Sequence, residues 1–517
     1  MVRIVLTADK TLMSEYRHVP LLQFLGCAPT QVPKFIFDYL TPSIPHNDGI
    51  ALVAPYSLRK VESALLKGYA QEDIVVAHPN YIHKFINADT TIVGVSTMDP
   101  LGFGPVTMMF TLGGLYTSYT KKAFFDLMHN INRIKRAFNK RFKVVIGGAG
   151  VWQIELKREI MKELGIDHLV LGEVDNVAHE IFNDIENGSA DEVIRCSSSI
   201  DAESIPCIVN PSAHGLVEVM RGCGRNCEFC DVNLRRVKYF DIKKVIEEIL
   251  VNVRGGNGRV WAHSDDIFSY KIENRREFIP NRDAICDLFK AIMSTPGVFH
   301  CNPTHGTISA VVADPKMIVE LSKILKAGPN HWIGIQSGLE TGSPTLMRKY
   351  MPTKAKPFSA EEWDDVIYEG TKILNENYWF PAYTIIMGLP NETEEDCWDT
   401  IRLIDRMEKK LPEELGEKAH FTVTPISFVP IGILKNEKFF DVSKELNEAR
   451  WCLIYRSWRH IALEAERYLP KALSINPLQR FILSSLMSYG AKIVMWYIKS
   501  FGKKLGFNTD KAMRVSY

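Results

Sequence analysis

The stretch VMRGCGRNCEFCDV, Val219–Val232, sets Cys223, Cys227 and Cys230 within eight residues, in a chain that has ten cysteines among 517 residues. The spacing is C-x3-C-x2-C. Thiolates are soft ligands that select zinc or iron–sulfur clusters. A structural zinc site closes four ligands, normally as two pairs, and no fourth cysteine lies near this triplet. Three cysteines on one loop suit a cubane cluster with one iron left without a protein ligand; catalytic metal sites keep such an open position. The odd local count disfavours disulfides, while zinc and plain packed thiols stay open on spacing alone.

The surroundings give the triplet a place in a fold. It follows GLVEVM (Gly215–Met220), the first of six strand-like runs. The others are GRVWAHS (Gly258–Ser264), GVFHCNP (Gly297–Pro303), HWIGIQSG (His331–Gly338), FPAYTIIMGLP (Phe380–Pro390) and HFTVTPISF (His420–Phe428). All but the last precede a helical pattern, which predicts a partial (β/α)6 barrel over 207–435 whose chemistry sits at the strand C-termini. Upstream, RIVLTA, DIVVAH, TIVGVST, KVVIGG and HLVLGE alternate with helical runs over 1–195, predicting a Rossmann-like, doubly wound parallel sheet. The polar stretch Asn187–Pro206 reads as a linker, and 436–517 as a helical region that offers a docking surface for substrate. The fold class is therefore α/β with a helical C-terminal region.

Lys plus Arg (62) nearly cancels Asp plus Glu (61), with no basic stripe, which argues against nucleic acid as a partner. The opening MVRIVLTADK has no apolar signal region, and the other seven cysteines are scattered, so a reducing, cytoplasmic setting is expected. Phe481–Phe501 is about the length of a membrane span. Lys492 and three serines within it predict a buried or amphipathic helix instead, with no stable membrane insertion.

CGRNCEFC after a barrel's first strand resembles the radical S-adenosylmethionine (SAM) superfamily. SDDIF (Ser264–Phe268), GIQSGLETGS (Gly334–Ser343) and IIMGLPNETEED (Ile385–Asp396) resemble its later barrel segments. VVIGGAG and LGEVDN resemble the cobalamin-binding domain fused ahead of such barrels, so the chain is similar to the class B, cobalamin-dependent radical SAM methyltransferases. The resemblance implies a [4Fe–4S] cluster on Cys223, Cys227 and Cys230, and SAM contacted by Asp265 or Asp266 and by Gln336, Ser337, Glu340 and Gly388. It implies cobalamin near Asp99, Leu101, Gly104, Gly147, Gly148 and Glu173. The family's D-x-H-x-x-G motif is absent; DPLGFG (Asp99–Gly104) puts Leu101 where the histidine would stand, so base-off cobalamin with no histidine ligand is expected.

The implied reaction is C-methylation of an unactivated sp3 carbon, with methylcobalamin as methyl relay, two SAM per turnover and a ferredoxin or flavodoxin as electron donor. The N-terminal sequence, through CAPTQVPKFIFDYL, resembles an archaeal, methanogen-associated branch. Within it the implied substrate is a protein or peptide, with the α-carbon of a glutamine in methyl-coenzyme M reductase as the target. The alternative is a cobalamin-dependent radical enzyme that cyclises or couples a peptide or lipid without net methylation.

Overall fold

Five of the apolar runs upstream of the cysteines form strands where the sequence places them. They are β1 (Ile4–Ala8), β2 (Ile74–Val76), β3 (Ile92–Ser96), β4 (Lys143–Gly147) and β5 (His168–Leu171). A sixth, β6 (Val193–Arg195), lies inside the stretch expected to be a linker. All pair in parallel in the order β2-β1-β3-β4-β5-β6. Every residue of β1 and β3 is buried, as in a sheet covered on both faces. One face packs Phe124, Met128 and Ile131 of α2 (Tyr119–Ala137); the other packs Leu58 of α1 (Tyr56–Leu65) and Phe182 of α3 (Ala178–Asn187). The strand order reverses between β1 and β3, and open α/β sheets bind ligands beyond the carboxyl ends of their strands at such a point.

The computed structural model describes residues 2–137, 142–196, 200–472 and 477–514; Ser197–Ser199 of the expected linker lie outside them. The chain forms two compact units, one of Met1–Val219, Lys238–Ala262 and Ala291–Cys301, the other of Met220–Val237, His263–Lys290 and Asn302–Tyr517. The six barrel runs all become strands: β7 (Leu216–Glu218), β8 (Arg259–His263), β9 (His300–Pro303), β10 (Ile333–Glu340), β11 (Trp379–Met387) and β12 (Thr422–Ser427). They form two three-stranded sheets, ordered β9-β8-β7 and β10-β11-β12, and the second is parallel. Just past β9, His305 bridges to Gln336 of β10. Helices follow the strands, among them α4 (Ile242–Arg254), α5 (Arg282–Ser294), α6 (Pro315–Ile324), α7 (Trp363–Glu376) and α8 (Glu394–Leu415). Thr393 and Asp396 close a capping box that starts α8.

The C-terminal region is helical, with α9 (Glu448–Ala472) and α10 (Pro477–Lys504). Tyr489 and Trp496 of α10 are each 68% exposed, so this stretch of the helix is not buried. Among the described residues no helix is long and apolar enough to cross a membrane.

Within the first unit, α1 is joined to α4 by charge. Lys60 pairs with Glu248, both nearly fully buried; Glu248 also accepts from the Tyr56 hydroxyl at 2.7 Å and the Ile208 amide at 3.1 Å. Lys60→Met strands a buried carboxylate and is expected to cost ~3 kcal/mol, read as a lower midpoint of chemical denaturation. Pairing it with Glu248→Gln recovers much of that loss.

Candidate functional site

The cysteine loop is shaped by its own backbone and by one asparagine. Gly222, Gly224 and Asn226 take positive φ, the conformations that let the chain double back within so few residues. Asn233 clips the turn shut: its Oδ1 accepts from the Cys223 thiol and from the Asn226 amide, both at 3.1 Å, and its Nδ2 donates to the Cys227 carbonyl at 3.0 Å. Cys227 is buried, and Cys223 and Cys230 are half-buried. Burial pushes the Cys223 and Cys227 thiols up to about 12, and each thiolate form would repel its neighbours. The loop is also covered: the Glu228 amide donates to the Tyr350 carbonyl at 2.9 Å, and the Ile433 amide to the Glu228 carbonyl at 2.8 Å. Gly432, at positive φ, lies so close that a Cβ would meet Glu228 O at 2.7 Å and Cys230 N at 2.9 Å.

Asp265 and Asp266 divide their work. Asp266 is fully buried and saturated, accepting from Arg225 Nε at 2.9 Å, Ser269 Oγ at 2.6 Å, and the Thr307 amide and hydroxyl at 2.9 and 3.0 Å. Burial works to raise its carboxyl, but Arg225 and these donors outweigh it and hold the group below its ordinary value. Asp265 is half-buried and accepts from the Gly222 amide at 2.6 Å, one residue before Cys223. Asp265, not Asp266, has carboxylate capacity left for a ligand beside the cysteine loop.

Strand periodicity sorts the β10 residues. Gln336, Ala382 and Thr422 align across β10-β11-β12, as do Gly338, Thr384 and Thr424 one level higher. Ser337 shares the opposite face with Tyr383, whose hydroxyl bonds Thr371 of α7 at 2.8 Å. Ser337 therefore does not stand with Gln336, as adjacency in the sequence suggested, but faces the helix layer with Oγ buried. Glu340 forms a buried pair with Lys354, Oε1 to Nζ at 2.8 Å. The pair lies over Gly338, where a Cβ would run into both groups. His305 is half-buried, and desolvation, then His263, pulls its imidazole down to about 4. Gly388 takes φ +87° against the Phe440 ring, and its amide donates to Glu392 at 3.0 Å.

In the first unit, the residues expected near cobalamin mostly build their own loops. The Asp99 carboxylate accepts from the Gly104 amide at 2.8 Å, from Gln153 Nε2 at 2.7 Å and from Thr107. Leu101 is buried at 4% exposure, and its amide donates to Gln153 Oε1 at 2.9 Å. Gly148, at φ +96°, is required by Thr97, whose carbonyl would meet a Cβ at 2.5 Å. Gly147 has no such neighbour nearer than 3.8 Å and leaves its strand end open. Glu173 pairs with Lys238 at 2.6 Å.

The cysteine loop fits a cubane. Its three thiols lie within electrostatic reach of one another, with Lys354 and Arg225 beside Cys227 as cations for the anionic thiolates. Among the described residues no group of His, Cys, Asp or Glu is arranged to hold a single metal ion. A cubane spreads its thiolates over separate irons and does not need that convergence. Sequence reading missed Arg225, Asn233 and Lys354. Only Arg225 left a signal, as a charge inside a cysteine turn opposite an acidic pair.

Comparison with known proteins agrees with this placement. Residues 217–404 match the radical SAM superfamily. The chain is 27% identical over 289 residues to the ribosomal protein uS12 methylthiotransferase RimO of Thermotoga maritima, covering 52% of this chain and 57% of that protein. It is 23% identical over 303 residues to a putative methylthiotransferase of Methanocaldococcus jannaschii, covering 52% and 59%. The chain thus spans little more than half the length of these relatives. Its fold is shared with the radical SAM methyltransferase TsrM of Kitasatospora setae, solved with cobalamin and a [4Fe–4S] cluster bound (TM-score 0.52, 12% identity, covering 84% of this chain and 74% of that one).

Asp266→Ala is expected to cost ~3 kcal/mol by leaving Arg225 buried and unpaired, while Asp265→Asn keeps the denaturation midpoint within ~1 kcal/mol of the parent. Because the folded Asp266 carboxyl is depressed, its contribution is complete above the ordinary value of 3.8 and is lost as pH falls through the folded value.

Proposed function

We propose that this chain is a cobalamin-dependent radical SAM C-methyltransferase acting on a protein or peptide, with the α-carbon of a glutamine in methyl-coenzyme M reductase as its target. The observation that carries the reading is the covered three-cysteine loop at the C-terminal end of a barrel's first strand, with the Asp265 carboxylate held against it. Cys223, Cys227 and Cys230 would hold a [4Fe–4S] cluster, and Asp265 would accept a hydrogen bond from the amino group of SAM bound beside it. Gln336, on the open face of β10, is a further polar contact to SAM.

The first unit supports the cobalamin part of the reading. Its strand order reverses between β1 and β3, the place where such sheets commonly bind ligands, Met98 exposes an apolar side chain just past β3, and the backbone at Gly147 is open. No imidazole stands where Leu101 is buried, which suits a corrinoid bound without a histidine ligand. A corrinoid bound there would supply methyl-transfer chemistry, and a cluster with SAM would supply radical chemistry. A protein substrate accords with the near-neutral charge and with exposed Tyr489 and Trp496 on the C-terminal helix.

The likeness to RimO favours a second reading, methylthio transfer. That reaction needs a sulfur donor, and the sequence has no second cysteine run comparable to Cys223–Cys230.

The test is anaerobic turnover of reconstituted protein with methyl-labelled SAM, hydroxocobalamin, a low-potential reductant and a glutamine-containing reductase peptide. The expected result is a peptide heavier by one methyl, with S-adenosylhomocysteine and 5′-deoxyadenosine formed together. A methylthio mass gain would overturn methyl transfer in favour of the second reading. 5′-Deoxyadenosine without S-adenosylhomocysteine would point to cyclisation or coupling. Asp265→Asn is expected to weaken SAM binding roughly tenfold, ~1.4 kcal/mol for a lost charge-assisted contact, measured by calorimetry.

A further inference from the structure

The segment Tyr350–Lys356 straps the cysteine loop at Arg225 and Glu228. Hydrogen bonds to two residues of the loop make the strap. The Tyr350 carbonyl accepts from the Glu228 amide at 2.9 Å, the Thr353 hydroxyl donates to the Arg225 carbonyl, and Arg225 Nη1 donates to the Lys354 carbonyl at 3.1 Å. Ser309 adds a bond to the same Lys354 carbonyl at 3.0 Å. The backbone at Lys354 is thus fixed by groups that also fix the cysteine turn. Its side chain is fixed as well, since the ammonium is buried and held by Glu340 at 2.8 Å.

Neutralising a buried lysine would take one anion, and Glu340 supplies it. The cysteine loop itself has no use for this pair as a fold element. It closes through Asn233, Arg225 and the loop carrying Gly432. The strap bonds hold the Lys354 backbone to Arg225 and Glu228, which flank Cys227, and its ammonium lies within electrostatic reach of Cys227 and Cys230. Thr384 steadies the other carboxylate oxygen from the neighbouring strand, at 3.5 Å. The absence of a side chain at Gly338 keeps the space in which both charged groups lie.

We propose that Lys354, oriented by Glu340, is a positioning residue for the cluster, fixing a positive charge beside Cys227 and Cys230 that favours the one-electron-reduced state. The inference rests on the radical SAM reading of the cysteine loop. Reduction adds one electron from the external donor to the cluster and makes it more negative. A cation held in a medium of low dielectric constant stabilises that state more than the oxidised one. Water could not substitute, because the pair is buried and the strap holds it in one place.

The test is a redox titration followed by electron paramagnetic resonance on reconstituted protein without SAM, with iron counted in each sample. Lys354→Met is expected to shift the reduction equilibrium about tenfold against the reduced cluster, ~59 mV lower for a one-electron couple. Lys354→Arg, which keeps the charge, is expected to restore it to within about threefold. Lys354→Met with Glu340→Gln leaves no unpaired buried charge, and it carries the measurement should the single variant lose iron. It is expected to lower the potential by less than the single variant does. An unchanged potential in every iron-loaded variant overturns the proposal and leaves Lys354 a purely structural partner of Glu340. Failure of the parent protein to assemble a cluster overturns the radical SAM reading itself, a different result from an unchanged potential.

Discussion

The buried pair of Arg225 and Asp266 is the constraint on which the rest of the site depends. Arg225 stands between the first two cysteines, where a guanidinium has no water to turn to. It reaches the loop after β8 to meet Asp266 through Nε, and its Nη1 turns to Ser309 and to the carbonyls of Thr353, Lys354 and Lys356, while Nη2 is buried without a hydrogen-bond partner. One side chain therefore ties the cysteine turn to the loop after β8, to the helix-starting segment after β9 and to the strap after β10. A desolvated ion pair of this kind adds little net stability over an apolar replacement, but breaking it is costly. What it contributes is connection: one side chain bonds the cysteine turn to three other segments.

That arrangement also explains why two adjacent aspartates have different fates. Asp266 is consumed by the scaffold, so its neighbour is the one left for ligand chemistry. The glycines follow the same logic. Gly338, Gly388 and Gly432 are each empty because a specific neighbour fills the space: an ion pair, the Phe440 ring and the cysteine loop backbone. Gly148 is the counterpart in the first unit, where Thr97 rather than a ligand excludes a side chain.

Much of the fold was legible because strand–helix alternation is a strong periodic signal, and all eleven expected strands formed within a few residues of their runs. The strand β6 escaped because Val193–Arg195 is only three residues long and sits at a sheet edge among polar neighbours. The cysteine triplet was legible from spacing. Its support was not, because Asn233 and Lys354 act through contacts that no local pattern encodes. Ser337 shows the opposite failure, since it lies beside Gln336 in sequence, yet the pleat turns it to the other face. The family match bears on the same division, since it covers residues 217–404, the segment that carries the cysteine triplet.

The most direct test of the central claim is electron paramagnetic resonance of anaerobically reconstituted, reduced protein, recorded with and without SAM alongside metal analysis. The account predicts about four irons per chain and a cluster signal that changes shape when SAM binds at the iron lacking a cysteine. Zinc in place of iron, or a cluster signal indifferent to SAM, would contradict it.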